Sequence, residues 1–190
     1  MFVKYKKGWR SVIYLDKEKS LIKKESNNRV LSTIEKEVNW LKRLNKVGIG
    51  PNLIEFNENY FICEFIQGLE IEPFLKQNNR KEIIKVLKNV LDQCYILDKL
   101  KIDKREMKNP YKHIIISKKV VMIDFERAKY SEKPRNITCF CQYLISSKIY
   151  RILKNAGISF DRKELINLVK TYKSTYNKTD LDKIKKLVVN

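Results

Sequence analysis

Glycine, histidine and cysteine are scarce in this chain, and acid is scarce relative to base. The 190 residues include five glycines, four prolines, four cysteines and a single histidine, His113. Cys63, Cys94, Cys139 and Cys141 form no C-x-x-C pair, which excludes a zinc knuckle and a dithiol redox motif. They are expected to be buried thiols. Glycines are too few and too dispersed for a Gly-rich phosphate loop of the three-glycine kind; Lys7-Gly8-Trp9-Arg10-Ser11 has one. No apolar run approaches the roughly 20 residues of a membrane span. Met1 to Lys7 lacks the apolar core of a signal peptide. The expectation is a cytoplasmic protein without a membrane partner.

The shortage of acid is the larger clue. There are 41 Lys and Arg against 22 Asp and Glu, a net charge of +19. Heat adaptation enriches Lys and Glu together, so it does not account for this imbalance. A one-sided excess favours a polyanion, with nucleic acid ahead of a membrane surface. At 43% hydrophobic residues the chain is nonetheless globular, long enough for one domain or two small lobes.

Along the chain, strands are expected at 2–6, 12–15, 20–24, 53–56 and 60–65. Between the third and fourth lies a helix: Ser32-Thr33-Ile34-Glu35 has capping-box spacing, and Ile34, Val38, Leu41 and Leu44 recur at helical intervals. Gly48-Ile49-Gly50-Pro51 stops it. The remainder reads as mainly helical, with a long helix marked by Ile83, Leu87, Val90, Cys94 and Leu97, an irregular polar stretch at 103–111, a hairpin at 114–123, and helices near 138–155, 162–172 and 180–188. This predicts an α+β chain in two lobes, 1–66 and 67–190, the first a five-stranded antiparallel sheet with one helix.

Met122-Ile123-Asp124-Phe125-Glu126-Arg127-Ala128 carries the chemistry. An apolar strand that ends on one aspartate holds a divalent metal against a phosphate. Taken with Lys112-His113-Ile114-Ile115-Ile116 and Lys133-Pro134-Arg135-Asn136-Ile137-Thr138, the chain resembles the small archaeal Rio-like Ser/Thr kinase family, and within it the branch that phosphorylates a tRNA ribose 2'-hydroxyl. The resemblance covers nearly the whole chain. It implies a minimal protein-kinase-like fold, with ATP and Mg²⁺ as cofactors and tRNA as partner; the oligomeric state stays open, with a monomer favoured.

Residue by residue, the resemblance implies these roles. Lys23, after Leu21-Ile22, binds the ATP phosphates, and Glu37 pairs with it; Lys24 points to the opposite face. Backbone amides from Gly8 to Ser11 touch phosphate. Glu64 and Ile66 hold the adenine edge through main-chain groups. Asp124 binds Mg²⁺. The catalytic loop departs from the kinase pattern: Lys104-Arg105-Glu106-Met107-Lys108 puts Glu106 where the aspartate stands, while an ungapped alignment puts Lys108 there. Glu106 is the candidate to accept or orient the hydroxyl proton. His113 falls near the place of the metal-binding asparagine, as a metal ligand or, better matched to its nitrogen chemistry, a phosphate contact. Lys112 is a candidate to stabilise the transferred phosphoryl group. Glu126 stands in place of the glycine of Asp-Phe-Gly, and no long peptide-binding segment follows. Arg127, Lys129, Lys133 and Arg135 then form a basic rim suited to a phosphate backbone. A Rio-like protein kinase and a degenerate RNA-binding module are the alternatives.

Overall fold

The structure, a computed structural model, describes residues 1–8, 11–27 and 32–189, without the side chain of Ser32. The expected capping box at Ser32, and Trp9 and Arg10 of the glycine loop, lie outside the described residues. The chain divides into two compact units, Met1–Gly68 with Val121–Arg127, and Leu69–Val120 with Ala128–Asn190. The short stretch carrying Asp124 therefore packs with the N-terminal residues.

The N-terminal unit is built on five antiparallel strands: β1 (Val3–Lys7), β2 (Ser11–Asp16), β3 (Leu21–Ser26), β4 (Leu53–Phe56) and β5 (Tyr60–Glu64), in the order β1-β2-β3-β5-β4. The register shifts once at each edge, between Lys4 and Lys6 in β1 and between Leu53 and Glu55 in β4. Such irregularities blunt an open sheet edge. Helix α1 (Ser32–Leu44) covers one face, with Ile34, Val38, Leu41 and Leu44 buried as the helical spacing predicts. Across β3 and β5, Ile22 lies opposite Cys63 and Lys24 opposite Phe61, while Lys23 lies opposite Ile62. Phe61 and Cys63 are core residues, so the even-numbered positions of β3 face inward.

The C-terminal unit is mainly helical. Its helices are α2 (Ile71–Gln77), α3 (Arg80–Lys99), α4 (Asn136–Ile145), α5 (Ser147–Asn155), α6 (Arg162–Thr175) and α7 (Lys178–Val189). The single helix expected at 138–155 is two, broken at the extended Ser146, and α2 is additional. Short strands β6 (Leu69–Glu70) and β8 (Ile114–Ile116) pair antiparallel, as do β7 (Ile102–Asp103) and β10 (Lys129–Tyr130). After β8 the chain turns through Ser117–Lys119 into β9 (Val120–Met122), which leads to Asp124. Among the described residues no helix is long and apolar enough to cross a membrane. The five-stranded antiparallel sheet followed by a mostly helical remainder is a kinase-like α+β fold.

Gly50 does more than stop α1. It has φ +84°, and a Cβ there would lie 3.0 Å from Leu41 Cδ2 and 3.3 Å from Phe125 Cε2. Phe125, next to Asp124, is fully buried. The absent side chain thus lets the Asp124 segment seat against α1. Gly50→Ala combines a strained φ with overpacking, and unfolding in denaturant should show a loss of about 2–4 kcal/mol. Gly48 has φ +72°, but a Cβ there would meet nothing within 4 Å, so Gly48→Ala should cost less.

Candidate active site

Four charged groups converge in the N-terminal unit. The Lys24 ammonium donates to Glu37 Oε2 at 2.6 Å and to Asp124 Oδ1 at 3.4 Å, and lies 3.5 Å from Glu126 Oε2. Glu37 is on the apolar stripe of α1, three residues after Ile34, and is 4% exposed. Its other oxygen accepts from the Phe125 amide at 3.3 Å. The helix carboxylate therefore holds both the strand lysine and the backbone beside Asp124. Glu35, two residues earlier on α1, is exposed.

This corrects the expectation for Lys23. The residue that meets Glu37 is Lys24, because the inward face of β3 carries the even-numbered residues. Lys23 points to the other face, over the ring of Tyr60 at 4.2 Å, with Glu25 at 3.8 Å. It is an ordinary cross-strand cation on a polar surface. Glu126 is the second addition. In the sequence it registers only as a missing glycine, yet its carboxylate reaches the lysine.

Burial disfavours the charged form of Lys24, but Glu37, Asp124 and Glu126 together outweigh it and hold the ammonium well above the usual lysine range. Burial pushes the Glu37 carboxyl up, Asp124 and Glu126 add to that, and Lys24 opposes it. Asp124 has φ +65°, in the left-handed region. Aspartate tolerates that conformation better than most residues.

A pocket of about 350 Å³ opens onto this cluster, lined by Lys6, Gly8, Ser11, Lys24, Asp124 and Glu126 among others. The Gly8 amide donates to the Ser11 carbonyl at 2.8 Å, linking the end of β1 to the start of β2 beside it. The pocket has the two features a nucleotide triphosphate needs, a lysine and a set of carboxylates. One oxygen each from Glu37, Asp124 and Glu126 lies within 4.8 Å of the others. An all-oxygen donor set suits Mg²⁺. His113 is not part of that set. Glu64 ends β5 and Ile66 follows two residues later; the Glu64 amide donates to the Asn52 carbonyl and the Phe65 amide to the Ser20 carbonyl, which holds the main chain there.

The remaining candidates belong to the C-terminal unit. Glu106 lies in a 3₁₀ turn at Arg105–Lys108 and is buried; its Oε2 is 3.6 Å from the ammonium of Lys104, itself fully buried. The turn is anchored by residues that sequence reasoning misses. The Lys104 amide donates to Asn136 Oδ1 at 2.9 Å, and Asn136 Nδ2 donates to Asp98 Oδ1 at 2.7 Å and the Ile102 carbonyl at 2.6 Å. Asp98 also accepts from the amides of Asn136 and Ile137 and from the Tyr172 hydroxyl. Burial pushes the Asp98 carboxyl up to about 6 in spite of these donors. The Asn136-Ile137 pair, recognisable in the sequence only as part of a family motif, is thus the clasp of the Glu106 turn.

His113 ends the next 3₁₀ turn, its amide donating to the Pro110 carbonyl at 2.8 Å, and its side chain is half-buried. Lys112 is exposed, its ammonium 5.5 Å from the centre of the Tyr111 ring. Lys129 and Lys133 are exposed. Arg135 differs from them: its Nε donates to the buried Asp103 at 3.2 Å, which gives it a structural task next to Asn136. Arg127, in the N-terminal unit, is exposed at the pocket wall.

The two lysines of β3 can be told apart by substitution. Lys24→Met should weaken binding of an ATP analogue at least tenfold in calorimetry, since it removes a cation and leaves three carboxylates without their shared partner. Lys23→Met should change it less than twofold. The reverse order would return the role to Lys23.

Comparison with known proteins agrees with this arrangement. The chain is 26% identical over 117 residues to an uncharacterized protein of Methanocaldococcus jannaschii, an alignment that covers 60% of this chain and 98% of that one. The model of the RIO domain matches residues 2–144, most of the chain and all of the groups described above except those in α6 and α7. Family membership carries with it an atypical kinase-like phosphotransferase that uses ATP and Mg²⁺ in general terms. This chain belongs to the RIO domain family.

Proposed function

We propose that this RIO protein is an RNA kinase that transfers the γ-phosphoryl group of Mg-ATP to an internal ribose 2'-hydroxyl of tRNA, in the variable-loop region. The phosphotransfer half of this reading is carried by one observation, the Lys24–Glu37 pair facing Asp124 in a pocket of the N-terminal unit. Lys24 neutralises phosphate charge, and Glu37 fixes its position. Glu64 and Ile66 offer main-chain groups to the adenine edge. When bound, Mg²⁺ supplies compensation of the β- and γ-phosphate charge during transfer. Asp124 and Glu126 are the residues to hold it. With Glu126 present, the oxygen that kinases draw from an asparagine comes from the segment after Asp124, and His113 is left to meet phosphate or to orient Glu106.

Glu106 accepts or orients the proton of the attacking hydroxyl, and Lys104 keeps its carboxylate in place. Lys112 stabilises charge on the group in transit.

RNA as acceptor is supported by two features. The net charge is +19. The chain also runs from Asp124 through β10 directly into α4 at Asn136, leaving no long segment on which to lay a peptide. A 2'-hydroxyl in an unstacked loop is accessible and distinguishes RNA from DNA. The resemblance of the sequence motifs supports tRNA as that RNA. The second reading, a Rio-like protein kinase, uses the same pocket and differs only in the acceptor.

Transfer of labelled γ-phosphate to deproteinised tRNA, beside a generic basic protein, separates the two. The expected result is label in tRNA that resists end-specific phosphatase and falls at least a thousandfold in Asp124→Ala, with the fold intact by circular dichroism. Label in protein alone would establish the second reading in its place.

A further inference from the structure

We infer that a lysine surface formed by α3 and α7 is a docking site for an RNA phosphate backbone. The inference rests on the RNA reading above and names where, apart from the phosphotransfer groups, the RNA is held. The positive charge is distributed unevenly. The N-terminal unit contains 14 Lys and Arg against 10 Asp and Glu, and the C-terminal unit 27 against 12, giving net charges of +4 and +15. Most of the polyanion attraction therefore originates in the helical unit.

Within that unit, Lys81, Lys85 and Lys88 occupy positions i, i+4 and i+7 of α3. They lie in one stripe roughly 10 Å long at 1.5 Å per residue, and all three are exposed. None has a carboxylate partner among the described residues. The opposite side of the same helix is the buried row Ile83, Val86, Leu87, Val90 and Leu91. The next residue on the stripe is Asp92, and it is already shared: Lys185 and Lys178 of α7 reach it at 2.7 and 3.3 Å. Lys178 also approaches Asp182 at 3.6 Å. Five lysines thus share two acids, and the half-buried Glu82 sits at the flank of α3.

An exposed helix face with no ligand usually mixes signs at these spacings, because like charges at i,i+3 and i,i+4 destabilise a helix and opposite ones stabilise it. A stripe of one sign, extended by the neighbouring helix, is a repulsion that a row of phosphates removes. Lysine ammoniums on flexible stems suit that partner, since they track a backbone without reading bases.

The test is tRNA binding by the full chain as a function of salt. Each lysine that neutralises a phosphate contributes about 0.7–0.9 to the slope of log affinity against log salt. The variant Lys81→Gln, Lys85→Gln, Lys88→Gln should lower that slope by about 2–3 and weaken binding at least tenfold at 0.1 M salt. Its affinity for an ATP analogue should match the parent. The control Lys17→Gln, Lys19→Gln, Lys46→Gln removes the same charge from exposed positions of the N-terminal unit, and should lower the slope by less than 1. A triple α3 variant with the parental slope overturns the docking site. So does a control that loses as much, since net charge alone would then explain binding. A parent chain that fails to bind tRNA overturns the RNA reading itself, whereas parental binding with an unchanged α3 variant leaves that reading standing and removes only this surface.

Discussion

An ammonium held among three carboxylates organises the N-terminal unit. Lys24 is nearly buried, and a buried charge persists only when it is paired and hydrogen-bonded. Its partners come from separate parts of the chain: β3 supplies the lysine, α1 supplies Glu37, and the segment after β9 supplies Asp124 and Glu126. Glu37 in turn accepts from the Phe125 amide, and Phe125 fills the space that Gly50 leaves open against Leu41. Helix, strand and the Asp124 turn are thereby fixed to one another by a single set of charges. In the proposed reading the same set would serve the chemistry, a phosphate taking the lysine and a divalent cation the carboxylates.

The C-terminal unit has a counterpart in the Asp98–Asn136 clasp. Asp98 receives four donors from Asn136, Ile137 and Tyr172, which lie on two other helices, and Asn136 carries the connection to the Lys104 amide and the Ile102 carbonyl. Tyr172 is buried and packs edge-on against Tyr176. The Glu106 turn is irregular backbone, which has no ladder of its own, so its geometry depends on these side-chain anchors.

Much of this is legible in the sequence, and the rest is hidden for identifiable reasons. The α1 stripe at Ile34, Val38, Leu41 and Leu44 declares its buried face by spacing alone, and the same spacing places Glu37 on that face. The choice between Lys23 and Lys24 requires the strand face, and Lys23, after Leu21-Ile22, is the residue the resemblance selects. Phe61 and Cys63, at alternate positions of β5, are the signal that decides it, because Lys24 pairs with Phe61. Glu126 reads as an absence of glycine, and only the folded chain shows its carboxylate 3.5 Å from the Lys24 ammonium. Asp98, Asn136 and Tyr172 are far apart in the chain and obey no local period. Nothing in a single sequence joins them. The break at Ser146 is equally silent, since no proline or glycine marks it.

The central claim is that Lys24, Asp124 and Glu126 form the phosphate and metal end of the site. A crystal structure of the full chain with a non-hydrolysable ATP analogue and Mn²⁺, located by its anomalous signal, tests this most directly. The account predicts Lys24 Nζ on the α- or β-phosphate and the metal bound by oxygens of both Asp124 and Glu126. Phosphate contacts from Lys23, or a metal bound by His113 without Glu126, would contradict it.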